Sequence, residues 1–72
     1  MTFVELMKDA PSQKQGLIYS AIVGDGFTIY TARAYAAGER NPKLPEQVNI
    51  QRHVKRIFGE TYALDELFPV KS

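Results

Sequence analysis

The chain contains no cysteine, and at 72 residues it is short enough for that absence to govern how it can fold. A domain of this size hides only about 60% of the surface its unfolded form exposes, and many such domains make up the shortfall with disulfides or a structural metal. Disulfides are excluded here, and the single histidine, His53, has no cysteine or second histidine to complete a common zinc ligand set. Stability therefore has to come from one packed core. An apolar fraction of 44% beside a charged fraction of 24% suits a folded domain and not a disordered chain. The longest apolar run falls far short of the roughly eighteen residues that a membrane span needs, and no basic stretch followed by an apolar one opens the chain. These features point to a cytoplasmic protein without a membrane partner.

Helix punctuation then divides the chain. Thr2 followed by Glu5 is a capping-box pattern, Phe3, Leu6, Met7 and Ala10 keep the three-and-four spacing of one buried face, and Pro11 ends the segment. Ser12 and Gln15 repeat the pattern, and Leu17, Ile18, Ala21 and Ile22 predict a second helix that stops at Gly24-Asp25-Gly26. Residues 22–30 also resemble a β-hairpin closed by Asp25-Gly26. Against the hairpin, residues 17–23 hold one clearly polar residue, Ser20, where alternation is needed, and four of the seven residues 31–37 are alanine. Alanine favours helix and disfavours strand. The preferred reading is a third helix capped by Thr28, with Thr31, Ala32, Tyr35 and Ala36 on one side and Gly38 as the left-handed residue after its end.

Asn41-Pro42 and Pro45 mark residues 39–45 as a loop, and Pro45 suits the first turn of a fourth helix. Ile50, Val54, Ile57 and Phe58 fall in a sector about 100° wide with Asn49, Arg52 and Arg56 opposite, the pattern of an amphipathic helix. Gly59 closes it, and Tyr62, Leu64, Leu67 and Phe68 before Pro69 predict a last helical turn. The expected fold is all-α: a compact bundle of about five short helices forming a single domain over residues 1–72.

Charge is distributed unevenly although the net value is only +1. Residues 28–56 carry Arg33, Arg40, Lys43, Arg52, Lys55 and Arg56 against Glu39 and Glu46, net +4. The flanking stretches 1–27 and 57–72 are net −1 and −2. A basic middle between acidic ends is what a one-sided phosphate-binding face produces, and solvated charges also cluster without such a purpose.

Within that basic stretch lies an ordered series of signals: Gly26 before a turn, the hydrophobe Phe27 after it, the hydroxyl cap Thr28, a second hydroxyl at Thr31, an inward aromatic at Tyr35 and the closing Gly38. Together they resemble the turn and recognition helix of Cro and phage-repressor regulators. The likeness extends loosely over the chain, through Phe58-Gly59 and the later Glu66-Leu67-Phe68. It implies a helix-turn-helix over about residues 13–37, with a recognition helix over about 28–37 lying in the major groove. The implied function is sequence-specific binding of duplex DNA by a transcriptional regulator, and because one short recognition helix reads only a few base pairs, a homodimer is expected on DNA. Carried over by position, Ile29, Tyr30 and Ala34 face the base edges with Arg33 at the flank, Thr28 and Thr31 start the same helix, and Arg40 and Lys43 approach the backbone. Two positions depart from the pattern. The small residue four places before the turn glycine is Ile22 here, and the polar residue near the start of the bracing helix falls at Ile18, which leaves Ser12, Gln13 or Lys14 to hold a phosphate.

Ile29, Tyr30 and Ala34 are weak hydrogen-bonding groups for reading bases, so a second reading stays open: a protein-interaction domain with a repressor-like fold and no DNA contacts. Enzymatic activity is not expected. No nucleophile-elbow sequence surrounds Ser12, Ser20 or Ser72, the glycines match neither a dinucleotide nor a P-loop pattern, and Asp65 and Glu66 are neighbours that point apart on a helix. No cofactor, metal or small-molecule ligand is implied. For self-association the candidates are Val48 and Val70, apolar residues off the main core stripe.

Overall fold

Thr2 starts the first helix by the chemistry its sequence predicts. In the computed structural model, which describes residues 1–70, the Glu5 amide donates to the Thr2 hydroxyl at 3.1 Å and the Thr2 amide donates to the Glu5 carboxylate at 2.9 Å. The bond from the Thr2 amide foremost, and the Thr2 hydroxyl beside the carboxylate second, hold the Glu5 carboxyl below its ordinary range. Helix α1 (Phe3–Asp9) follows and buries Phe3, Leu6 and Met7.

The second capping box does not form. Helix α2 (Ser12–Gly24) starts after Pro11 with no side-chain bond to its cap, and the Gln15 side-chain Nε2 instead donates to the Met7 carbonyl at 2.6 Å. The physical reason lies in Pro11, which stands four residues after Met7 and has no N–H to donate to that carbonyl. Gln15 supplies a donor there and ties the end of α1 to α2. Ile18 and Ile22 form the buried stripe of α2, whereas Leu17, expected to face inward, is 50% exposed.

Residues 22–30 contain no strand, which removes the hairpin alternative: they are the end of α2, a turn through Asp25 and Gly26 at φ 104°, and the start of helix α3 (Ile29–Ala37). Helix α4 (Leu44–Phe58) carries Pro45 in its first turn and ends at Gly59 with φ 76°. Its Ile50 and Val54 are fully buried, while Ile57 and Phe58 are half-buried at the edge of the core. The Lys14 ammonium lies over the Phe58 ring, 5.3 Å from its centroid. Helix α5 (Leu64–Leu67) sends Leu67 inward, and the Phe68 ring packs against Phe3 with centroids 5.5 Å apart.

Two more glutamines work as Gln15 does. The Gln47 side chain donates to the Pro42 carbonyl at 3.0 Å, and Gln51 donates to the Tyr62 carbonyl at 2.7 Å. Each joins α4 to a neighbouring irregular segment whose backbone would otherwise lack partners. In the assembled fold α2 packs on α3 and α4, α1 on α3, and α5 against α4 and α1. The described chain measures 32 × 24 × 19 Å, and no helix in it is long and apolar enough to cross a membrane. Over the described residues the fold is thus the all-helical bundle of five that the sequence predicts.

Candidate functional site

α3 is anchored from behind by small side chains and one large one. Ala32 and Ala36 are buried and let the helix lie close to its neighbours, and Tyr35, 8% exposed, fills the space beside them with Phe27 edge-on at 6.1 Å. With that side committed to the core, the opposite side is presented outward. Ile29 is 39% exposed, Tyr30 80%, and Arg33 and Ala37 are also exposed, while Thr31 and Ala34 sit half-buried at its margins.

The start of this helix is rigidly capped. The Thr31 amide donates to the Thr28 hydroxyl at 3.2 Å, and the two threonine hydroxyls are themselves 3.2 Å apart. At the other end Gly38, at φ 79°, turns the chain so that the Glu39 and Arg40 amides donate to the Ala34 carbonyl at 3.0 and 3.3 Å. Arg40 and Lys43 are exposed beyond that end, in a loop held by buried Pro42 and the Gln47 bond. Six of the eight residues singled out from the sequence therefore share α3 and its cap, and two follow its C-terminal end. Nine residues at about 1.5 Å each make α3 about 13 Å long, which separates Tyr30 from Arg40 along the helix axis.

Of the residues proposed for phosphate contact at the start of α2, Ser12 and Gln13 are exposed, whereas Lys14 is turned toward Phe58. Ile18 and Ile22, the two departures from the regulator pattern, are both in the core.

One connection at this site was not legible in the sequence. His53 Nε2 lies 2.7 Å from Asp25 Oδ2, and Arg56 Nη2 lies 3.2 Å from His53 Nδ1. A guanidinium can only donate, so Nδ1 accepts and Nε2 carries the proton toward Asp25. The imidazole thereby fastens the turn before α3 onto α4. Among the described residues Asp25 is taken by this neutral imidazole and Glu66 by the Met1 ammonium at 3.9 Å, and no ion pair involves Arg33, Arg40 or Lys43.

Comparison of the chain with protein-family models, with curated proteins and with solved structures finds no match.

Proposed function

We propose that the chain is a DNA-binding transcriptional regulator of the Cro/phage-repressor type, with α2 and α3 as its helix-turn-helix and α3 as the helix that enters the major groove. The observation that carries this reading is the outward side of α3. Its core-facing side is fixed by Ala32, Tyr35 and Ala36, and its N-terminal half presents Ile29, Tyr30 and Arg33 to solvent, the last in no ion pair among the described residues. An α-helix with its side chains is about 10–12 Å across, and a major groove about 12 Å wide accepts one. In this reading Ile29 and Ala34 touch thymine methyl groups, Tyr30 reaches a base edge or a phosphate, and Arg33 supplies the strong donor. Arg40 and Lys43 meet the backbone, whose neutralisation supplies sequence-independent affinity.

The 80% exposure of Tyr30 beside Ile29 favours a second reading, in which the same surface docks on a protein. Fluorescence anisotropy with mixed-sequence duplex DNA at low salt separates the two. The DNA reading expects binding whose logarithm falls linearly with the logarithm of salt, and Arg33→Ala and Arg40→Ala each to flatten that slope by about one unit with the fold retained. Absence of binding at low salt, or affinity unchanged in both variants, selects the protein-docking reading.

A further inference from the structure

Beside the outward edge of α3, and separate from its N-terminal reading positions, α1, α2 and α3 enclose an open groove of about 460 Å³. Its lining is mostly apolar, with Met7 buried beneath it, Tyr19 half-buried at one side, and Val4 and Ala37 partly open to solvent. The charged residues lining it are Lys8 and Arg33, both cations, and neither is in an ion pair among the described residues. Acidic groups are available on α1 itself, at Glu5 and Asp9, yet neither lines the groove.

We propose that this groove is a docking site for an acidic peptide segment carrying a large apolar side chain, and that such a segment competes with DNA for Arg33. The apolar side chain would cover Val4, Ala37 and Tyr19, and its carboxylates would meet Lys8 and Arg33. Two features select this occupant. Desolvating two cations against an uncharged partner costs free energy, so the partner must bring negative charge. A nucleic-acid backbone brings that charge but has no apolar group to cover the floor. The competition clause rests on the DNA reading above, because Arg33 is the one residue shared by the groove and the DNA-facing edge. The result would be a regulator released from DNA by an acidic protein partner.

The test uses the full chain and a synthetic helical peptide of about 15 residues, alanine-based, with leucine and glutamate on one face; the control peptide has each glutamate replaced by lysine. Amide chemical shifts are followed by NMR, and displacement of a labelled duplex is followed by anisotropy. The expected result is saturable shifts at Val4, Lys8, Tyr19 and Ala37 with the acidic peptide only. Lys8→Ala should weaken that binding by about fivefold while leaving duplex affinity within about twofold, since Lys8 is outside the DNA-facing set. Arg33→Ala should weaken both ligands. If the peptide fills the groove and the chain binds no duplex, the docking site stands and the DNA reading falls. Simultaneous binding of peptide and duplex overturns the shared use of Arg33. Shifts absent at millimolar peptide, equal with the lysine control, or produced at these residues by duplex alone overturn the docking site.

Discussion

The imidazole of His53 does what no neighbour in sequence could predict, because its partner Asp25 is 28 residues away. Its side chain is 12% exposed and that of Asp25 25%, so water only partly screens the bond. Removing Asp25 leaves the half-buried imidazole Nε2 without its partner, and removing His53 unties the exposed Asp25 from α4. Asp25→Ala and His53→Ala should each destabilise the fold, and the double variant should cost less than the sum, with a coupling of about 1 kcal/mol in urea unfolding. Strict additivity would mean that the contact contributes nothing to stability. Two glycines offer a second comparison at this scale. Gly38 and Gly59 both close helices at positive φ, 79° and 76°. An added Cβ at Gly38 would stand 3.2 Å from Val4 Cγ2, whereas one at Gly59 meets nothing within 4 Å. Gly59→Ala should therefore cost about 1–2 kcal/mol, the left-handed penalty alone, and Gly38→Ala more. Equal losses in chemical denaturation would show that α1 yields to the added methyl without cost.

Among the elements, α2 has little local support. It lacks a side-chain N-cap, leaves Leu17 and Val23 exposed, and has Gly16 in its interior with open space around the position a Cβ would take. Gly16→Ala should stabilise the protein by about 0.5–1 kcal/mol, through lower backbone entropy in the unfolded chain, and raise Tm by a few degrees. A lower Tm would mean that Gly16 has a packing role absent from this fold. The contrast between α2 and its neighbours also explains what could be read from sequence. Thr2 with Glu5, Thr28 with Thr31, and the closing glycines act within four residues, so their chemistry is visible in the order of letters. Ser12 with Gln15 carries the same letters as a capping box, yet Gln15 turns to the Met7 carbonyl eight residues back, which Pro11 leaves with only a long bond from the Ala10 amide at 3.4 Å. The clips from Gln47 and Gln51 depend likewise on where an irregular segment comes to rest. The outward side of α3 was legible because its inward side follows helical spacing. The groove was not, because Lys8 joins Arg33 only when α1 packs on α3.

At the scale of the whole molecule, the proposed function sets a requirement that one copy does not meet. α3 is about 13 Å long, and at 3.4 Å per base pair it spans about four pairs, with Arg33 as its strong donor. Such a footprint recurs too often to define a site, so specificity calls for a second copy on an adjacent major groove. Helix-turn-helix dimers place their half-sites about 34 Å apart, one turn of duplex. The described chain is 32 Å along its longest axis and 24 Å along the next, so two copies related by a two-fold axis can touch while their α3 helices keep that spacing. The surface expected to pair is apolar and outside the core: Val70 is 91% exposed and Val48 half-buried on α4. Sedimentation equilibrium on a palindromic duplex should give two chains per duplex, and Val70→Asp should abolish cooperativity while leaving the thermal midpoint unchanged, since that residue is almost wholly exposed. Val48→Asp should act in the same direction with some loss of stability, because part of its side chain is already covered. One chain per palindrome, with neither substitution altering affinity, would rule out this assembly and require a single α3 to account for all the specificity.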